Sequence, residues 1–323
     1  MYSFEDLSKY RKPLMGIAII FIMLYHCHIF PFGYIGVEFF IILSGIGLTF
    51  SLETRKQNYL QYVQRRFFRI LPLYLIVAIP YFLTKGEDIF RNICFINFFR
   101  DGDLRNWFIL LIIIFYLAFP ALKKWGAKSW MPLSAAIILI PVCYWWGMRC
   151  QNIEIATRRI PICLASVTIG KMAFDKVCIS RRMMDSLLAV GLAVWAFIVF
   201  GDRIPGIAFT DKTGLLYVCS TILAIPLLLL LTKLIPKLPS VVPALEYLGE
   251  RTLEIYLTHE LIARPLSHTL LTLILPQSLA EKLMAIPISI ILAIILADAL
   301  HRLMSILSRN KSGGRQDLSS DCK

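Results

Sequence analysis

Two apolar runs joined by a tight turn constrain this chain more than any other feature of its sequence. The first run is Leu14–Phe30, the second is Gly33–Phe50, and the turn is formed by Pro31-Phe32-Gly33-Tyr34. Each run is close to the ~20 apolar residues that a helix needs to cross a membrane. Because the connection is so short, the two helices are predicted to lie side by side and antiparallel.

Each of these predicted helices carries an ionisable residue near the shared turn. His26 lies four residues before the end of the first run, and Glu38 lies five residues after the start of the second. At a rise of ~1.5 Å per residue, both side chains are expected roughly 6–8 Å below the same membrane face. Ionisable residues within a membrane indicate a functional site by default. Spacing alone leaves open a catalytic base with its orienting carboxylate, or a hydrogen bond that only holds two helices together.

Composition extends the membrane interpretation to the whole chain. The sequence is 58% hydrophobic, with a mean hydropathy of +0.69, which is typical of a protein with many membrane spans. Residues 1–308 are predicted to form an all-α polytopic helix bundle, and the polar residues 309–323 a disordered tail. Ten apolar segments are predicted to be helices: Leu14–Phe30, Gly33–Phe50, Ile70–Thr84, Trp107–Leu122, Trp130–Trp146, Ile160–Phe174, Met184–Gly201, Gly214–Leu234, Thr252–Leu275 and Leu283–Leu303.

The distribution of charge predicts the orientation and the partners. Lysine and arginine accumulate in alternate loops, which indicates that both termini lie inside and that the number of crossings is even. The net charge of +13 is then explained by contacts with membrane lipid headgroups, and no basic–aromatic pattern indicates nucleic-acid binding. The run His26-Cys27-His28 predicts no metal site, because consecutive side chains on a helix diverge.

The sequence around the second run resembles a known family. Gly33-Tyr34-Ile35-Gly36-Val37-Glu38-Phe39-Phe40-Ile41-Ile42-Leu43-Ser44-Gly45 is similar to the second-helix signature of the integral-membrane acyltransferase-3 family, and the preceding Tyr25-His26 resembles the end of its first helix. The resemblance implies transfer of an acetyl group from acetyl-CoA to a hydroxyl of a cell-surface or lipid-linked saccharide. It also implies a bacterial cytoplasmic membrane, with His26 as general base and Glu38 as its partner.

The first predicted inside loop ends in a pair of arginines that suits phosphate binding. Arg66 and Arg69 are three residues apart, so they share one helix face, and guanidinium groups bind phosphates in a bidentate manner. The alternative is that both residues only anchor the helix in lipid headgroups. In the acyltransferase-3 family, a matching R-x-x-R followed by Pro and Tyr, here Pro72 and Tyr74, is associated with acyl-CoA use.

Two later segments also resemble the family. Arg159-Ile160-Pro161 matches an R-I-P segment, and Arg159 is expected at the same membrane face as Glu38, where it can bind the acceptor or an oxyanion. Pairing with Glu154 is the alternative. His259 ends a Tyr-x-x-His segment and is expected ~15 Å beyond Gly249, near the membrane midplane. There it either contacts substrate or forms a helix-packing hydrogen bond.

Two other classes of function share these features. A proton-coupled transporter would also bury His26, Glu38 and His259 in a helix bundle, although we find no inverted repeat in the sequence. A membrane sensor would use the same bundle to bind a ligand without turnover.

Overall fold

A computed structural model describes residues 1–27, 29–126, 131–149, 153–204, 209, 211–263 and 279–313. Two short strands, β1 (Tyr2–Ser3) and β2 (Cys178–Ile179), accompany a chain that is otherwise helical. The helices are α1 (Glu5–Lys9), α2 (Arg11–His26), α3 (Ile35–Thr54), α4 (Tyr59–Thr84), α5 (Ile89–Ile93), α6 (Ile96–Asp101), α7 (Trp107–Trp125), α8 (Met131–Arg149), α9 (Glu154–Thr157), α10 (Ile160–Phe174), α11 (Arg181–Phe200), α12 (Lys212–Leu234), α13 (Val242–Glu250), α14 (Thr252–Thr258) and α15 (Leu279–Gly313).

Each of the ten predicted segments coincides, wholly or in part, with one of these helices. Helix α10 has the predicted bounds, whereas α4 begins eleven residues earlier than expected. Within the described residues, six helices are long and apolar enough to cross a membrane: Ile35–Thr54, Tyr59–Thr84, Leu104–Trp125, Arg181–Phe200, Gly214–Lys237 and Ile288–Ile306. The chain is thus an all-α multi-pass membrane protein, while ten crossings with both termini inside stay a prediction.

Helix α15 ends at Gly313. The disordered tail that the sequence predicts from residue 309 stays a prediction. Residues 314–323 of that predicted tail lie outside the described part of the chain.

The chain divides into two compact units, which are described separately. The first comprises Met1–Phe67 and Phe90–Glu250, and the second comprises Phe68–Ile89 and Arg251–Lys323. Helix α4 contributes residues to both. In the second unit, the Thr258 hydroxyl donates to the carbonyl of Ala293 (3.1 Å), and Arg251 Nε donates to Asp298 (3.0 Å), so that α14 is bonded to α15.

Small residues set the packing of α3 against α10 in the first unit. A Cβ atom built on Gly45 would collide with Ser166, and one built on Gly170 would collide with Thr49. In both contacts the α10 residue lies 121 positions after its α3 partner, so the helices run parallel in a fixed register. Small side chains allow such close approach between membrane helices.

The same principle places α2 between α3 and α13. Gly36 packs against the carbonyl of Ala18, which confirms that α2 and α3 are antiparallel neighbours. Gly249 on α13 packs against the carbonyl of Lys12, and the Lys12 ammonium lies 2.5 Å from Glu250. Helix α2 is therefore held on two sides by backbone-to-backbone contacts, which fix the position of His26 at its end.

The N-terminal residues were not predicted to form a strand. Tyr2 pairs with Ile179 and Ser3 with Cys178 in a two-stranded antiparallel ribbon, and Phe4 N–H donates to Val177 (3.0 Å). Ion pairs from Lys176 to Glu5 (2.9 Å) and from Lys233 to Asp6 (2.8 Å) hold α1 beside the ribbon and α12.

We expect Gly45→Val to destabilise the protein, because its side chain would force α3 away from Ser166. Overpacking of this kind typically costs about 1–3 kcal/mol of unfolding free energy. Thermal unfolding in detergent should show a lowered midpoint. The control is Ala193→Val, at an exposed position on α11, which should leave the midpoint unchanged. Equal midpoints for the two variants would contradict the proposed close contact.

Candidate active site

A fully buried ion pair lies where α3 and α10 begin. Glu38, in the first turn of α3, has no exposed surface, and its carboxylate pairs with the guanidinium of Arg159, of which 2% is exposed. Arg159 lies 121 positions after Glu38, which is the same register as the glycine contacts further along these helices. The positive end of the α3 dipole also favours a carboxylate at this position. Packing of small residues therefore brings two charges together inside the bundle.

Helix α12 supplies a third polar group to the pair. The Ser220 hydroxyl lies 2.6 Å from Glu38 Oε1, to which it donates, and it also lies 2.6 Å from the Tyr217 carbonyl oxygen. One charged partner and one neutral donor thus share the same carboxylate oxygen.

An aromatic cluster surrounds the guanidinium. The Tyr217 ring centroid lies 4.7 Å from Arg159 Cζ, in a cation–π arrangement. The Tyr217 hydroxyl is 2.7 Å from the Tyr25 hydroxyl, and the Tyr34 ring packs edge-on against Tyr217 at 5.2 Å. His26, the last residue of α2, places its ring 5.7 Å from that of Tyr25. His26, the predicted catalytic histidine, therefore lies beside the aromatic cluster, next to Tyr25.

Some polar atoms of the ion pair have no hydrogen-bond partner within the described part of the chain. Among the described residues, Glu38 Oε2 and Arg159 Nε are buried and have no hydrogen-bond partner. A buried polar atom without a partner costs about 1–3 kcal/mol. One acceptor and one donor are therefore available for a small polar ligand such as a hydroxyl group.

The partner of Glu38 differs from the one that the sequence predicted. His26 was expected to face the carboxylate, but in the described part of the chain Arg159 and Ser220 are its polar partners. The reason is the parallel register of α3 and α10, which the sequence does not reveal. The catalytic roles of His26 and Glu38 stay predictions.

Arg158 and Arg159 are adjacent but have different partners. Arg158 pairs with Glu154 (3.0 Å) and with Asp211, and Asp211 caps α12 by accepting from Gly214 N–H (2.9 Å). The alternative role predicted for Arg159, pairing with Glu154, therefore belongs to Arg158. This network ties the start of α10 to the start of α12 and leaves Arg159 for Glu38.

Arg66 lies on α4 beside the middle of α7. Its guanidinium lies 5.6 Å from the Tyr62 ring centroid and 5.8 Å from that of Tyr116, while the Tyr62 hydroxyl donates to the Tyr116 carbonyl (3.0 Å). The aromatic rings fix the direction of the guanidinium, as a binding site for a phosphate requires. Arg69, three residues later on α4, is exposed and belongs to the second unit.

The remaining predicted residues lie in the second unit. His259, 6% exposed, begins the π-helical turn His259–Ala263. Its Nδ1 lies 3.0 Å from the Ile255 carbonyl oxygen, and since a carbonyl only accepts, Nδ1 carries the proton. In the neutral ring, Nε2 is then the basic nitrogen. Tyr74 on α4 is fully buried.

The sequence analysis missed the groups contributed by α12. Tyr217 and Ser220 lie three residues apart, and hence on one face, in the largely apolar first half of this helix. That spacing of polar groups within a membrane segment was the available signal.

Comparison with known proteins identifies the kind of domain. A family model described as an acyltransferase domain matches residues 14–302, which is nearly the whole chain. No curated protein and no solved structure matches the chain.

We expect Arg159→Met to be strongly destabilising, because it leaves the Glu38 carboxylate buried without a cation. Breaking such a pair typically costs about 3–5 kcal/mol. Thermal unfolding in detergent should show a large fall in midpoint, and Arg159→Met combined with Glu38→Gln should recover part of it. Arg302→Met, which breaks an exposed pair with Asp298, is the control. A fall no larger than that of the control would contradict the buried pair.

Proposed function

The chain belongs to the acyltransferase-3 family, and from this premise we propose that it is a membrane-embedded O-acetyltransferase. The donor is acetyl-CoA, and the acceptor is a hydroxyl of a cell-surface or lipid-linked saccharide. The cytoplasmic membrane of a bacterium is the proposed location. Membership of the family supports an acyltransferase, and the site residues support the finer assignment.

The observation that carries this proposal is that the buried ion pair has one acceptor and one donor without a hydrogen-bond partner among the described residues. A hydroxyl group both donates and accepts, so a second, non-reacting hydroxyl of the saccharide can donate to Glu38 Oε2 while accepting from Arg159 Nε. Those two contacts orient the acceptor and leave the proton of the reacting hydroxyl to His26. Positioning of this kind supplies much of the rate in a bimolecular transfer.

The proposed chemistry needs one base and one group that stabilises negative charge. His26 removes the hydroxyl proton as the acceptor oxygen attacks the thioester carbonyl. The tetrahedral intermediate places its negative oxygen near Arg159, whose guanidinium stabilises it. Collapse breaks the carbon–sulfur bond, and the CoA sulfur leaves as a thiol with the proton from His26. General-base assistance contributes typically ~10²–10⁴-fold.

The donor is proposed to bind at Arg66 in the first unit. Arg66, held between Tyr62 and Tyr116, binds phosphate groups of CoA, and Arg69 on the same helix adds a second cation.

His259 and Tyr74 are proposed contacts of the substrate within the second unit. His259 Nδ1 is bonded to the Ile255 carbonyl oxygen, which fixes the orientation of the ring.

We expect His26→Ala to abolish acetyl-dependent CoA release, because no other group is proposed to take the acceptor proton. The assay is release of CoA from acetyl-CoA by purified protein in lipid nanodiscs. His301→Ala, which removes an imidazole bonded to Glu254 (2.9 Å) in the second unit, should retain activity. Full activity in His26→Ala would overturn the proposed base. A transporter or a sensor would release no CoA in any variant.

We expect Arg66→Ala to weaken acetyl-CoA binding roughly tenfold, as loss of a charge-assisted hydrogen bond does. Arg65→Ala is the matched control, because Arg65 is the exposed neighbour on the same helix. Isothermal titration of the protein in nanodiscs measures both affinities. Equal affinities for the two variants would reduce Arg66 to a contact with lipid headgroups.

A further inference from the structure

One turn of α12 contacts both charges of the buried ion pair. The Ser220 hydroxyl donates to Glu38 (2.6 Å). The ring of Tyr217, three residues earlier, lies against the guanidinium of Arg159, with 4.7 Å between the ring centroid and Cζ. The proposed function gives Arg159 a role in the transfer and assigns none to Tyr217.

The contacts with Glu38 and with Tyr217 hold the guanidinium in different ways. A guanidinium group is planar, so its N–H bonds point outward in that plane while its faces can stack on aromatic rings. The Glu38 carboxylate pairs with a terminal nitrogen at the edge of the group. Pairing at one edge leaves the plane able to turn about that contact. The Tyr217 ring, over which Cζ lies, restricts this turning.

Both tasks proposed for Arg159 depend on the direction of its N–H groups. Its Nε donates to a hydroxyl of the acceptor, and the guanidinium stabilises the negative oxygen of the tetrahedral intermediate. Donors of this kind are effective because they are oriented before the reaction begins. Arg159 is also buried, and a cation–π contact is stronger away from water than at a surface.

The Tyr217 ring is itself held by residues from other elements. Its hydroxyl lies 2.7 Å from the hydroxyl of Tyr25 on α2. Tyr34, in the turn before α3, packs edge-on against the ring with 5.2 Å between the centroids. Contacts with α2 and with this turn therefore fix the orientation of a ring that α12 supplies, so the ring offers the guanidinium a fixed surface.

We infer that Tyr217 is the positioning residue for Arg159. The electron-rich face of its ring holds the guanidinium in the orientation that stabilises the negative oxygen of the tetrahedral intermediate. Tyr217 acts through Arg159, and no bond is made or broken at Tyr217. The inference rests on the proposed function and adds a residue of α12 to its machinery.

Two other roles for Tyr217 have different requirements. If the role belongs to its hydroxyl, through the bond to Tyr25, then removal of that hydroxyl abolishes it. If the ring serves only as packing, then any ring of the same shape is sufficient. The inferred role requires an electron-rich ring face and no hydroxyl.

The test compares two full-length variants of nearly the same shape, Tyr217→Phe and Tyr217→trifluorophenylalanine. Ring fluorines withdraw electrons from the ring face and so weaken the attraction for a cation. In the assay of CoA release in nanodiscs, Tyr217→Phe should retain most of the wild-type kcat. The fluorinated variant should have a kcat roughly tenfold lower than Tyr217→Phe, as loss of a buried cation–π contact predicts. The KM for acetyl-CoA should not change, because the donor is proposed to bind at Arg66.

The matched control for fluorination is Phe174, which lies on α10 like Arg159 and fifteen residues after it. Its ring packs against that of Phe50 at 5.2 Å. Phe174→trifluorophenylalanine should leave kcat unchanged.

Thermal unfolding in detergent measures the same contact without activity. The fluorinated ring should give a lower midpoint than Tyr217→Phe where Arg159 and Glu38 are present. It should give the same midpoint as Tyr217→Phe in a protein that also carries Arg159→Met and Glu38→Gln, because no cation then lies against the ring. Such a cycle isolates the energy of one contact.

Three results would overturn the inference. Equal kcat values for Tyr217→Phe and its fluorinated counterpart would reduce the ring to packing, even if the midpoints differ. Loss of activity in Tyr217→Phe itself would assign the role to the hydroxyl. A midpoint that falls equally with and without Arg159 would show that the fluorines disturb packing.

These results are separable from those for the proposed function. CoA release that depends on His26, with equal kcat in the two Tyr217 variants, overturns the positioning role and leaves the proposed function in place. A wild-type protein that releases no CoA overturns the proposed function, and the positioning role with it.

Discussion

The parallel packing of α3 against α10 is the constraint on which the candidate site depends. Gly45, Ser166, Gly170 and Thr49 allow the two helices to approach closely, and the same register places Arg159 beside Glu38. A buried carboxylate without a cation is costly, so the register and the charge pair support each other. Because both charges lie near the beginning of their helices, the site forms at one end of the first unit.

The ion pair is incomplete by itself. Ser220 and the Tyr217 ring satisfy part of the buried charge, yet one carboxylate oxygen and one guanidinium N–H have no partner among the described residues. Native proteins rarely leave such atoms unfilled, and exceptions are frequent at functional sites. The two charges of the site stabilise each other. The carboxylate oxygen and the guanidinium N–H without a partner suit a hydroxyl group, which the proposed acyl transfer to an alcohol requires.

Two places in the first unit have different chemistry. A buried ion pair with tyrosines around it lies at Glu38, whereas the cation of Arg66 lies between two aromatic rings. The proposed function assigns the hydroxyl-bearing acceptor to the first and the phosphate-bearing donor to the second.

The sequence by itself determined the helices and the family. Long apolar runs cannot leave their backbone groups unpaired in a membrane, so they form helices whatever their neighbours are, and the ten predicted segments accordingly fall on helices. It also singled out Glu38, Arg159 and Arg66. Only the tertiary structure decided that Glu38 faces Arg159 and Ser220. Partners separated by 121 and 182 residues depend on which helices pack together, and apolar periodicity is the same for every choice of neighbour.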